Sequence, residues 1–196
     1  MNDSLPAYPL PIRVLHWLTV ILVAGLFALA AGNGLIAEAA PDLGEMLVVV
    51  HINLGFFVFL ATLARLALRF GVTGPGPSDR ARTSLHILAR TVHGLLYAGL
   101  LAIPVAGYVK LASLGFEIRI LGTVPLPGLP FDPSLARVAR DTHAGVALCL
   151  LGLVVLHAAA AALHHRIDGI PVLRRMSLWP GAGRMGVHYT ARRDSR

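Results

Sequence analysis

The chain has 196 residues, 56% of them hydrophobic and only 14% charged, with a mean hydropathy of +0.70. These values exclude an ordinary water-soluble domain, in which about a quarter of residues are charged, and point to a membrane protein. The net charge of +7 is explained below by its distribution, with no nucleic-acid partner required.

Residues 1–12 hold Pro6, Pro9 and Pro11 and read as an extended lead-in. The first charge-free run is Val14 to Ala37, 24 residues long. Ala28-Leu29-Ala30 inside it resembles a signal-peptide cleavage site. However, the run is long for such a peptide, only Arg13 precedes it as a positive charge, and His16 at its head is out of character. It is therefore expected to stay as a membrane span. A short acidic connection, Glu38, Asp42 and Glu45, leads to the second run, Met46 to Ala64, of 19 residues. Arg65 and Arg69 close that span and are placed to snorkel toward lipid phosphates. A Gly/Pro-rich turn follows from Gly71 to Asp79.

The third run, Thr91 to Val109, has 19 residues and carries Pro104, expected to kink it. The segment Lys110 to Arg140 is the longest connection, and Pro125, Pro127, Pro130 and Pro133 argue against a regular helix there. The fourth run, Thr142 to His165, has 24 residues. Each run is long enough for the roughly 20 residues of helix that a bilayer core needs. The expected fold is all-α, an integral membrane four-helix bundle over residues 1–176. A polar tail, 177–196, is expected to be cytoplasmic and disordered.

Basic residues set the expected orientation. With both termini cytoplasmic, the inner side holds Arg13, five arginines from Arg65 to Arg90 and seven from Arg166 to Arg196. The outer side keeps Lys110, Arg119, Arg137 and Arg140. The predicted location is a membrane, crossed four times and surrounded by lipid.

His143 and His157 lie fourteen residues apart in one charge-free run. That spacing returns to nearly the same helix face and separates the rings by roughly 21 Å along the axis. One metal cannot bridge that distance, but two planar cofactors stacked across a bilayer suit it. His16 lies near the inner end of the first span and His51 near the outer end of the second. Depth therefore pairs His16 with His157 and His51 with His143. Two imidazoles fill both axial positions of a haem iron, leaving no vacant site for oxygen, which points to electron transfer. There is no C-x-x-C-H sequence, so two haem b groups would be held noncovalently between helices. A lone membrane histidine is often only a hydrogen-bonding or headgroup residue; four matched in depth on three helices are harder to dismiss. Cys149 reads as a small packing residue.

Further candidates accompany these ligands. Arg13 and Arg140 each stand three residues before a ligand histidine, suited to haem propionates or to membrane anchoring. His93, with Arg90 before it and Tyr97 after it, suits a quinone carbonyl, a haem propionate or plain lipid contact. No catalytic residue is assigned. A small metal transporter is a competing class, but it should show carboxylates or unwound helices at the midplane, and none is present in the runs.

These stretches resemble the bacterial cytochrome b561 family of small four-helix dihaem, quinone-linked membrane cytochromes. The resemblance is carried by RVLHWL at 13–18, VVHINLGFFVFLATLARLALR at 49–69, HGLLYAGLLAIPVAGYV at 93–109, DTHAGVALCLLGLVVLHAAAAALHH at 141–165 and LRRM at 173–176. It implies that His16 and His157 ligate an inner haem b and His51 and His143 an outer one. It also implies that the membrane is a bacterial inner membrane, and it implies ubiquinone as a partner, with His164 facing the quinone near the inner haem. Some members resemble an enzyme that oxidises periplasmic superoxide and passes the electron to ubiquinone. Others are haem subunits of hydrogenases, dehydrogenases or soluble-cytochrome complexes. A periplasmic redox protein is thus the alternative donor, and a subunit of a larger complex the alternative function. A superoxide collector should present a positive outer surface, yet the outer loops hold six acidic residues against four basic ones.

Overall fold

The computed structural model describes residues 7–71, 83–166 and 172–178. Four long helices carry the fold: α1 (Leu10–Ile36), α2 (Pro41–Gly71), α3 (Thr83–Ala112) and α4 (Pro133–Arg166). All four are long and apolar enough to cross a membrane. Within lipid no water satisfies backbone groups, so these apolar runs become helices that bond internally. Large side chains on their outer faces, such as Leu148, Val155 and Leu163 on α4, are exposed. That is costly in water and natural against acyl chains. Cys149 is also exposed there rather than packed inside.

Two ends can be distinguished. The terminal end holds the starts of α1 and α3 and the finishes of α2 and α4. The loop end holds the α1–α2 and α3–α4 connections. α1 packs on α2 and α3 packs on α4, while the two hairpins meet chiefly through α2 and α3. Along its backbone α4 barely approaches α1 or α2, so space remains between them. Val58, Leu100 and Leu150 form the buried core at mid-bundle, with Leu22, Leu26 and Ile103 against it. Thr19 and Thr62 sit in this apolar setting because each hydroxyl donates to a carbonyl one turn back, Leu15 and Val58, at 2.7 Å.

The α3–α4 connection differs from the sequence expectation. It is a compact cap containing a two-stranded antiparallel ladder, β1 (Arg119–Ile120) with β2 (Val124–Pro125). Pro133 begins α4 rather than breaking a helix, because its fixed φ suits a first helical turn and its missing N–H costs nothing there. Asp132 supplies the cap: its Oδ1 accepts from the Ser134 N–H at 3.0 Å, the Leu135 N–H at 3.1 Å and the Ser134 hydroxyl at 2.7 Å. At the terminal end a short helix, α5 (Val172–Met176), lies against the start of α1. α3 is a single helix that runs through Pro104. Of the expected tail, only Ser177 and Leu178 are described; residues 179–196 lie outside the described residues.

Candidate functional site

At the loop end, α2 brings His51 and α4 brings His143 to a ring-centre separation of 6.2 Å, with planes tilted by 58°. They face a cavity of about 750 Å³ lined by apolar residues of all four helices and by Ile118, Ile120 and Leu126 of the cap. Among the described residues, Lys110 is the one formally charged side chain lining it. His143 Nδ1 lies 2.9 Å from the Ile103 carbonyl oxygen. A carbonyl only accepts, so Nδ1 carries the proton and Nε2 keeps a free lone pair. His51 in turn is hydrogen-bonded to the Leu26 backbone.

The cap over this cavity is tied down twice. Asn53, half a turn after His51, accepts the Leu121 N–H at 2.7 Å, and Tyr108 donates its hydroxyl to the Pro127 carbonyl at 2.6 Å. Leu121 has φ of 52°, a left-handed conformation that a β-carbon disfavours, and the Asn53 bond holds it there.

At the terminal end, His16 on α1 and His157 on α4 stand 6.4 Å apart, with planes at 80°. His93 on α3 joins them, its ring centre 5.1 Å from that of His157 in an edge-on contact. The ring of His93 is also hydrogen-bonded to the Ala89 backbone, one turn earlier on its own helix. His16 Nδ1 is buried with no acceptor among the described residues, as are Nε of Arg13 and of Arg65. Arg13 donates to the Ser177 carbonyl at 2.6 Å, and Trp17 donates its indole N–H to the Met176 carbonyl at 2.8 Å. Arg65 lies 5.5 Å over the Tyr97 ring.

Both pairs fit the two axial ligands of one iron. An imidazole nitrogen binds a metal at about 2 Å and lies about 1.1 Å from its ring centre, so two opposed rings on one ion should be about 6.2 Å apart. Among the described residues no group of three or more His, Cys, Asp or Glu side chains is arranged to hold a bare metal ion. Two protein ligands suffice only where a macrocycle supplies the remaining ones. The loop-end cavity lies in the size range of a large-ligand pocket and is mostly apolar, as a porphyrin requires.

Other candidates from the sequence fall in different places. Arg140 is ion-paired with Asp141 at 3.1 Å on the surface and is not among the residues lining the cavity. Arg90 is exposed near the start of α3, one turn before His93, and His164 is half-buried near the finish of α4. Lys110, Asn53, Tyr108 and Gly107 were not singled out individually as site residues from sequence. Only Lys110 carried a signal, as the first charge after an apolar run.

Comparison with known proteins supplies the remaining finding. The family model described as prokaryotic cytochrome b561 matches residues 7–178. The chain is 29% identical over 168 residues to "Cytochrome b561 homolog 2" of Escherichia coli (strain K12), covering 82% of this chain and 86% of that protein. It is 26% identical over 162 residues to "Cytochrome b561 homolog 1" of the same organism, covering 83% and 92%. It is 22% identical over 162 residues to "Probable superoxide oxidase CybB" of Yersinia pestis, covering 83% and 90%.

Proposed function

The chain belongs to the prokaryotic cytochrome b561 family of membrane b-type cytochromes, and on that premise we propose that it carries electrons across the bilayer between a periplasmic donor and ubiquinone. Two haem b groups would supply reversible one-electron chemistry, held by His51 and His143 near the outer face and by His16 and His157 near the inner face. The observation that carries this reading is the pair of ring separations, 6.2 Å and 6.4 Å, on helices that otherwise keep apart.

Each residue has a part. The Nδ1–H bond of His143 orients its ring and frees Nε2 for iron. Lys110 would neutralise a propionate carboxylate in the outer cavity, and Arg13 with Arg65 would do so inside, where their Nε–H groups lack acceptors. His93 and Arg90 near the start of α3 and His164 near the finish of α4 would serve at the inner end, where a quinone needs hydrogen-bond donors and protons. The termini are cytoplasmic in this reading, because most of the arginines lie at that end.

The donor we propose is superoxide. Two superoxide ions each lose one electron to become dioxygen, and ubiquinone takes both electrons with two protons to become ubiquinol. A relative named as a probable superoxide oxidase supports this choice. The surface charge gives only local support, since Arg119 pairs with Glu117 and Arg140 with Asp141, leaving Arg137 on the surface and Lys110 at the cavity. The test is to purify the protein, count haem b per chain, and mix it with superoxide and then a short-chain ubiquinone. We expect two haems, reduced by superoxide faster than dismutation consumes it, and ubiquinol as product. Reduction only by a copurifying redox protein would replace this donor and make the chain a subunit of a larger complex.

A further inference from the structure

Gly107 on α3 lies close against the His143 ring at the loop end. A Cβ at that position would stand 3.1 Å from Nδ1 and 3.2 Å from Cε1 of His143. The ring approaches α3 this closely because position 107 has no side chain; a Cβ there would push it back by a few tenths of an ångström. That approach is what brings Nδ1 to 2.9 Å from the carbonyl of Ile103, one turn before Gly107.

The two ends differ in what lies behind their imidazoles. At the loop end His143 donates to the Ile103 carbonyl and His51 is bonded to the Leu26 backbone. At the terminal end His16 Nδ1 is buried without an acceptor among the described residues, and His157 meets the edge of His93. A carbonyl acceptor draws the N–H proton outward and makes the coordinating nitrogen more basic. An electron-rich ligand favours the ferric ion and lowers its reduction potential, whereas a nearby cation raises it. Lys110 works in the raising direction at the loop end, and Arg65, which acts on both His16 and His157, does so at the other. The terminal end holds more cations, Arg13 and Arg65 against Lys110, and that difference works in the same direction as the hydrogen bonds.

We propose that Gly107 and the Ile103 carbonyl form a clamp that holds His143 as an electron-rich ligand and makes the loop-end haem the more reducing of the two. Gly107 is then a positioning residue, acting through His143. This rests on the two-haem reading, so the first measurement is the haem count of the unaltered protein. A count of zero would sink that reading itself, whereas a count of two followed by the wrong potentials sinks only the clamp.

The test is an equilibrium redox titration of purified protein, following haem absorbance, for the unaltered chain, Gly107→Ala and Gly94→Ala. Gly94 is on the same helix, and a Cβ there meets nothing within 4 Å, so it controls for helix propensity. The unaltered protein should titrate in two waves. In Gly107→Ala the lower wave should rise by about a tenfold change in the reduction equilibrium, 59 mV for one electron. The upper wave should stay, and Gly94→Ala should move neither. If Gly107→Ala loses one haem instead, the remaining wave must be the upper one. A single wave in the unaltered protein, a shift confined to the upper wave, no shift at all, or survival of the lower wave alone would each overturn the proposal.

Discussion

The loop end and the terminal end use the same pair of imidazoles but build them differently. At the loop end the cap is tied by Asn53 and Tyr108 and both rings are braced against peptide groups, although Asn33 Oδ1 and Ser113 Oγ are buried there without partners among the described residues. At the terminal end the polar atoms are in place but several lack partners among the described residues, namely His16 Nδ1 and the Nε atoms of Arg13 and Arg65. Buried polar groups without partners are costly, about 1–3 kcal/mol each, so an end that keeps them is shaped for something that pairs with them. Carboxylates of a bound cofactor meet that need. Both ends keep such groups; the loop end differs in the braces that the chain itself supplies, the tied cap and the peptide group behind His143.

The largest effects should come from the ligands themselves. Replacing His143 or His51 by Ala should remove one haem of two and spare the other, measured as haem per chain by the pyridine haemochrome method. His16→Ala or His157→Ala should do the reverse. If either substitution leaves the pigment and its titration unaltered, the pairing fails. Removing haem altogether should sharpen the contrast: hydrogen exchange should rise more in α5 and the first turn of α1 than in the cap.

The next effect concerns His93, which touches His157 edge-on while bonded to its own helix. His93→Ala should keep two haems per chain but slow electron delivery to ubiquinone by about tenfold, seen as reduced haem that persists after quinone is added. Loss of the terminal-end haem would instead make His93 a brace for His157. At the loop end the comparable step is smaller. Asn53→Ala removes two hydrogen bonds, from the Leu121 N–H and to the Val49 carbonyl, about 0.5–1.5 kcal/mol each, and releases the left-handed Leu121. Protease cleavage of the cap should quicken while the terminal-end titration stays unchanged.

The four helices were legible because each charge-free run matches the bilayer, and the ring neighbours because helix direction and depth leave one arrangement. Residues that act through position in space were not legible. Gly107 looks like any small residue in an apolar helix until the His143 ring is seen against it. Asn53 bonds a backbone N–H 68 residues away, and no local pattern encodes that reach. Trp17 carries no local signal of a distant partner, yet its indole N–H holds the carbonyl at the end of α5. Pro133 was misread because proline both ends helices and starts them; the Asp132 before it, with Ser134 after it, was the signal that favoured a start.

The smallest predicted effect separates the two ends by acid. α4 begins at the loop end with a carboxylate cap, whereas α1 begins at the terminal end behind Pro9 with no side-chain cap. The Ser134 hydroxyl, followed by the Leu135 and Ser134 N–H bonds, holds the Asp132 carboxyl below its ordinary value of 3.8. A carboxyl depressed on folding stabilises above its unfolded pKa and loses that contribution as pH falls through its folded one. The first turn of α4 should therefore hold at neutral pH and loosen only below about pH 4, while the start of α1 shows no matching transition. Amide exchange at Ser134 and Leu135, followed between pH 6 and pH 3 in detergent micelles, reads this directly. Asp132→Asn should keep the cap at neutral pH, since Asn caps nearly as well, and abolish the acid step. An acid step that persists in Asp132→Asn, or an equal one at the start of α1, would mean that acid loosens both ends through some other group.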